Sequence, residues 1–167
     1  MLTLNLLAAA DLPVIAAAFA ALGWDKPLTQ YETYLAEQEG GLRTVLVARW
    51  EGEFAGYVTL LWQPSHPALA VPPVPEIADF NVLPQFRRRG IGSALLDEAE
   101  RRAAEVSPLV ALGVGLTADY GAALRLYVRR GYLPVGSGLF SYGQPGRYGQ
   151  QVRVDDDLLI FFTKDIK

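Results

Sequence analysis

The sequence predicts an α/β fold, α+β in detail, built on one mixed central β-sheet, and three observations carry that reading. Strand-like and helix-like segments are interleaved along the whole chain. A strand, a glycine-rich turn and a helix stand together at its centre, over residues 76–106. A continuous apolar run, Leu109 to Leu116, follows them and has the length of a buried central strand. The pattern amounts to about six to seven strands flanked by about four helices, in one domain over residues 1–167.

Thr3 to Leu7 is short and apolar, and reads as the first strand. Asp11 is placed to cap a helix with Pro13 in its first turn; Val14, Ile15, Ala18, Phe19 and Leu22 make its buried face, and Gly23 stops it. Thr29-Gln30-Tyr31-Glu32 has the capping-box form, so a second helix is predicted from Gln30 to Glu39, before Gly40-Gly41. Thr44 to Trp50 and Phe54 to Trp62 form a hairpin through Glu51-Gly52-Glu53. Gln63 to Pro75 contains five prolines and cannot continue a strand, so it is a loop, and its His66 reads as an ordinary surface residue. Glu76 to Val82 returns to strand, and Ile91 to Val106 has the spacing of an amphipathic helix. Asp119 offers an N-cap for a helix from Tyr120 to Arg130, ended by Gly131. Tyr132 to Tyr142 and Leu158 to Lys164 complete the strands, with a polar loop, Gly143 to Asp157, between them.

Composition narrows the function. With 51% hydrophobic and 20% charged residues the chain is globular rather than disordered, and a net charge of -3 argues against a nucleic-acid partner. The absence of cysteine excludes disulfides, thiolate metal sites and a cysteine nucleophile, and a single histidine leaves no metal cluster, so no metal is expected. The apolar start lacks a basic flank and is interrupted by Asp11 and Pro13, and no run is long enough to span a membrane. A cytoplasmic protein without a membrane partner is the expectation.

The junction Val82-Leu83-Pro84-Gln85-Phe86-Arg87-Arg88-Arg89-Gly90-Ile91-Gly92-Ser93 carries the chemistry. Glycines let backbone N–H groups approach a ligand, a helix start carries partial positive charge, and arginines add formal charge. A phosphate or pyrophosphate suits such a turn.

Val82-x-Pro84 followed by Arg87-x-x-Gly90-Ile91-Gly92-x-x-Leu95-Leu96 closely resembles the acetyl-CoA signature of the GNAT acyltransferase superfamily. Ala123-x-x-Leu126-Tyr127-x-x-x-Gly131-Tyr132 resembles that family's later helix-to-strand motif, in the expected order. The resemblance implies an acetyl-CoA-dependent N-acetyltransferase with a sheet splayed at the acyl-CoA cleft. It implies that N–H groups from Arg87, Arg88, Arg89, Gly90, Ile91, Gly92 and Ser93 hold the pyrophosphate, and that Val82 and Leu83 present backbone groups to the pantetheine arm. Tyr127 takes the role of proton donor to the departing thiolate. Gly113 and Gly115 either allow close approach of the cofactor or are small residues packing in a core strand. Where the family often has Asn, this chain has Tyr120.

An amine must be neutral to attack a thioester, and one with a reference pKa of about 10.4 is neutral to about one part in a thousand near pH 7.4, so a base helps. Glu76 lies fourteen positions before Gly90, the spacing of the catalytic glutamate in the histone-acetyltransferase branch. Strict alternation points Glu76 and Asp79 to opposite faces, so only one aims at the substrate unless a bulge intervenes. Glu76 is favoured; Asp79, a base acting through water, or no base are the alternatives. Asp155-Asp156-Asp157 reads as a solvated turn. The acceptor, a small amine or an amine of a peptide or protein, is not legible. Phe140, Tyr142 and Tyr148 suit either a pocket or a homodimer contact. The rival to an enzyme is a non-catalytic acyl-CoA-binding or regulatory module of the same fold.

Overall fold

The computed structural model describes residues 1–167. Its helices are α1 (Leu12–Ala20), α2 (Leu28–Glu39), α3 (Ile91–Ala103) and α4 (Gly121–Arg129). Its strands are β1 (Leu2–Leu6), β2 (Arg43–Trp50), β3 (Glu53–Leu61), β4 (Glu76–Val82), β5 (Leu109–Gly115), β6 (Leu133–Ser141), β7 (Gln144–Pro145) and β8 (Leu158–Asp165). The strands pair in the order β1-β2-β3-β4-β5-β8-β6-β7, one more than the expected seven because of the two-residue β7. The β4–β5 pairing is parallel, and the other registered pairs are antiparallel, so the sheet is mixed. No helix is long and apolar enough to cross a membrane.

Residues group into two compact units, Met1–Trp62 with Ala78–Arg102, and Gln63–Ile77 with Ala103–Lys167. In the first, β2 and β3 form the expected hairpin, turned by Glu51 (φ +50°) and Gly52 (φ +85°). Two successive positive φ angles match the right-handed twist of the flanking strands. The continuous apolar run Val45 to Ala48 is buried throughout, as is all of Phe54 to Leu60, Gly56 and Thr59 included. Phe19 of α1 is the aromatic hub, with ring centroids 5.5 Å from Trp24, 6.5 Å from Tyr31, 6.0 Å from Phe54 and 5.8 Å from Tyr57. Stacked and edge-on rings at these separations add to the area they bury.

Several element starts differ from expectation. The Thr29–Glu32 capping box does not form, because Pro27 takes the N-cap position and α2 begins at Leu28. A proline ahead of the first turn sets an extended entry and leaves the Thr29 side chain inside the helix, where its carbonyl accepts from Thr33 Oγ1 instead. Asp11 ends a 3-10 turn, Ala9–Asp11, rather than capping α1 directly; its carboxylate accepts from the Ala8 N–H at 2.9 Å and pairs with Arg49. Asp119 likewise lies in a 3-10 turn, Ala118–Tyr120, ahead of α4.

In the second unit β5 pairs with β8 over Leu109 to Gly115, and the core collects Leu69, Val74, Ala111, Phe140 and Phe161. His66 belongs to this core and not to the surface: it is 2% exposed, with its ring centroid 4.1 Å from Phe140 and 4.7 Å from Phe161. Phe140, expected to be open to a ligand or a second copy, is buried with it, whereas Tyr142 and Tyr148 are exposed. Proline-rich composition signals the absence of a strand, and it does not say whether the loop folds back onto a core.

His66 Nδ1 accepts from the Ala68 N–H at 3.0 Å, which places the proton of the neutral ring on Nε2, 3.0 Å from Ser137 Oγ. Burial holds the imidazole below its ordinary 6.5, so the unfolded chain takes up a proton at a pH where the folded chain does not. Stability is therefore complete above pH 6.5 and falls as the pH drops below it toward the folded value. Urea midpoints measured across this range are expected to decline on the acid side in the wild type and to lie flatter in His66→Gln; parallel profiles would remove His66 as the cause.

Candidate active site

The turn after β4 is built by close packing. A 3-10 turn, Pro84–Phe86, buries Leu83 and Phe86, and the chain then reverses through Arg88 (φ +63°) and Gly90 (φ +78°) into α3. Ile91, Leu95, Leu96, Ala99 and Ala103 are buried along one face of that helix, which fixes where its first turn stands. Ala94 is the first residue of the ladder whose N–H reaches a carbonyl, that of Gly90 at 3.0 Å. The N–H groups of Gly90, Ile91, Gly92 and Ser93 precede it, as the unpaired donors of any helix start do. Gly92 fits closely here: a Cβ would lie 3.1 Å from Phe80 Cζ, tighter than ordinary contact. Arg87, Arg88 and Arg89 are all exposed; Arg87 Nε donates to the Val82 carbonyl at 3.2 Å, and the Arg89 guanidinium lies 5.5 Å from the Trp50 ring centroid. The result is a cationic helix start with donors free in the ladder, which is what an anionic phosphate requires.

Leu83, paired with Val82 in the sequence reading, has its N–H on the Ala55 carbonyl and its own carbonyl accepting the Phe86 N–H, both at 2.9 Å.

Asp79 is the second feature of this unit. It has φ +44° within β4, which breaks the alternation assumed for the strand. Five donors converge on its carboxylate: Lys26 Nζ at 2.7 Å and Asn81 Nδ2 at 2.8 Å on Oδ1, with Gln30 Nε2 and the Tyr34 hydroxyl, each at 2.8 Å, and the Tyr57 hydroxyl on Oδ2. Burial alone would raise its pKa, but the Lys26 charge and the hydrogen bonds from Lys26, Tyr57 and Tyr34 outweigh it and hold the carboxyl below its usual range. Tyr57 and Tyr34 are pushed upward by burial and by the Asp79 charge, so both stay protonated donors.

The second unit holds the other sequence candidates. Glu76 is 5% exposed, and its carboxylate accepts from the Ser65 N–H at 2.6 Å and from Ser65 Oγ at 2.8 and 3.0 Å. Tyr127 on α4 is 7% exposed, packs edge-on to Tyr132 at 5.8 Å, and has its phenol pKa raised by burial. A Cβ on Gly113 would press on Leu159 and Phe161 at 3.2 and 3.3 Å, and one on Gly115 would enter the Tyr120 ring at 2.4 Å, so side chains of this unit fill the space at both glycines. The Tyr120 hydroxyl donates to Asp156 at 2.8 Å and that of Tyr142 donates to Asp155, so two of the three aspartates engage tyrosines. No group of three His, Cys, Asp or Glu residues stands close enough to hold a metal ion.

The residues that sequence reasoning missed are the partners of Asp79. Gln30 and Tyr34 stand four apart on α2, which was legible as a shared face, but nothing local pairs that face with a strand acid some 45 to 49 positions on.

A mixed α/β sheet with a strand, a glycine turn and a helix in succession is the class of fold these elements make. The model of the Acetyltransferase (GNAT) family matches residues 14–132, most of the chain, and the protein belongs to that family. No curated protein sequence matches it. Among solved structures it is similar to an N-acetyltransferase from Staphylococcus aureus Mu50, with 16% identity, TM-score 0.72, and 100% and 99% of the two chains covered. It is also similar to a ribosomal-protein-alanine N-acetyltransferase from Brucella melitensis, with 21% identity, TM-score 0.70, and 98% and 99% covered. A third is the PaiA N-acetyltransferase from Thermoplasma acidophilum in complex with coenzyme A, with 14% identity, TM-score 0.67, and 99% of each chain covered. At these identities the likeness is one of fold.

Proposed function

We propose that this protein transfers an acetyl group from acetyl-CoA directly to an amine acceptor, with no covalent enzyme intermediate. The observation that carries the reading is the start of α3, where exposed Arg87, Arg88 and Arg89 and the ladder-free N–H groups of Gly90 to Ser93 suit a pyrophosphate. The coenzyme A complex of the Thermoplasma enzyme, which shares the fold, supports it. Leu83 has both backbone groups engaged within the fold, whereas the Val82 carbonyl accepts from the exposed Arg87 side chain at 3.2 Å, a contact a ligand can exchange, so Val82 is the residue we assign to the pantetheine arm.

Acetyl-CoA, when bound, supplies an activated thioester. The chain's own contribution is to orient it, to help an acceptor amine shed its proton, and to steady the departing sulfur. We assign the last role to Tyr127, whose phenol, held up by burial, stays protonated and can donate a hydrogen bond to developing negative charge. Of the two strand acids, Asp79 is unsuited to be a base, because its carboxylate is held low by an ammonium and four neutral donors. Glu76 is the base we assign. Glu76→Gln is expected to lower kcat and to remove the acid limb of its pH profile, and an unchanged limb would leave the amine to deprotonate without it.

Titration of acetyl-CoA by calorimetry tests the central claim. Gly90→Val/Gly92→Val should weaken binding by about tenfold or more, because a branched residue at φ +78° and a side chain driven into Phe80 both displace the donors. Equal affinity, in a variant whose circular dichroism shows it folded, sinks the assignment of the turn.

A further inference from the structure

Lys26 lies between α1 and α2, and its ammonium sits in a box that would suit any primary ammonium. Nζ is 2.7 Å from Asp79 Oδ1, 3.1 Å from the Tyr57 hydroxyl, and 5.6 and 5.7 Å from the centroids of the Phe19 and Tyr57 rings. A carboxylate and aromatic faces are the two things that attract such a cation. Two observations say that the box does more than satisfy Lys26. Asp79 has four neutral donors besides the lysine, so it stays hydrogen-bonded if Lys26 leaves. It adopts a positive φ, a strained backbone for a non-glycine residue and one that is commonly kept at functional positions. Lys26 is also reachable: its side chain and that of Asp79 are each 17% exposed.

An ammonium in this box spends its N–H donors on the carboxylate 2.7 Å away and has no lone pair to attack with. It is therefore not the nucleophile. The geometry points to the Asp79 box as an acceptor subsite for a primary ammonium group, with Lys26 as its tethered occupant, and hence to a diamine or polyamine acceptor, anchored by one amine and acetylated on another. This rests on the acetyltransferase reading above. At the free end, once neutral, an N–C bond forms as the thioester C–S bond breaks, and the proton lost by nitrogen ends on sulfur.

Initial rates by thiol release, with 1,4-diaminobutane against butylamine, test the subsite in wild type, Lys26→Met and Asp79→Asn. With the box vacated, Lys26→Met should prefer the diamine by about tenfold or more in kcat/KM, the scale of one charge-assisted contact, and the wild type by less because Lys26 competes for Asp79. Lys26→Met, which keeps the stem on Phe19 and removes the competing charge, should lower KM for the diamine and leave that for butylamine in place. Asp79→Asn should erase the preference. Equal kcat/KM for the two amines in Lys26→Met, or a KM that rises equally for both in that variant, would overturn the subsite and leave Lys26 as a structural ion pair. Acetyl-CoA titration of each variant separates the two readings: no binding by the wild type defeats the acetyltransferase assignment itself, whereas retained binding without diamine preference defeats only the subsite.

Discussion

Replacing Tyr127 by Phe is expected to lower kcat by about a hundredfold, the usual scale for a positioned proton donor, while the affinity for acetyl-CoA stays as it was. The ring is nine-tenths buried and stacks edge-on with Tyr132, so Phe preserves the packing of α4 and removes only the hydroxyl. Burial raises the phenol pKa, which keeps the proton in place over the working pH range. A loss confined to kcat identifies a contact made as the sulfur departs, and a rise in KM alone identifies a group that only binds. Single-turnover rates indistinguishable from wild type would take Tyr127 out of the chemistry.

Gly56→Ala should be among the most destabilising single methyl additions in the chain, by about 2–3 kcal/mol. A Cβ at Gly56 on β3 would stand 2.3 Å from the Asn81 carbonyl oxygen and 3.0 Å from Val82 Cα. Both are backbone atoms of β4, so no side-chain rotation relieves the contact and the two strands must part. The displaced residues, Asn81 and Val82, are a ligand of Asp79 and the residue assigned to the pantetheine arm. Weaker acetyl-CoA binding should therefore accompany the lower urea midpoint. A change within about 0.5 kcal/mol would mean that β3 and β4 separate more easily than their packing implies.

The frame of the protein was legible before any coordinates. Glu76–Val82 was bounded to the residue, the β2–β3 hairpin and all four helices were found, and the glycine turn stands where the anion-site reading requires a helix start. These features rest on interactions within a few positions of one another. Hydrophobic period, a proline-rich stretch and a glycine where φ is positive all leave marks in the local sequence.

The environments of the individual polar groups were not legible in this way. His66 was read as a surface residue, yet Phe140 and Phe161, some 74 and 95 positions on by the chain numbering, enclose it. Asp79 and Glu76 were weighed as two points on an alternating strand, and the positive φ at Asp79 removed the premise. The four residues from earlier elements that meet the Asp79 carboxylate come from 22 to 53 positions away. No spacing rule connects them.

What the sequence by itself determined was a local device, Arg87-x-x-Gly90-x-Gly92 at a strand-to-helix junction, whose geometry follows from glycine, helix polarity and charge. Only the tertiary structure decided that Asp79 is a saturated carboxylate holding an ammonium rather than a free base, and that His66 is a neutral core residue. The reason is physical: a side chain's charge state depends on the burial and partners that remote segments bring to it, and those are properties of the packed chain.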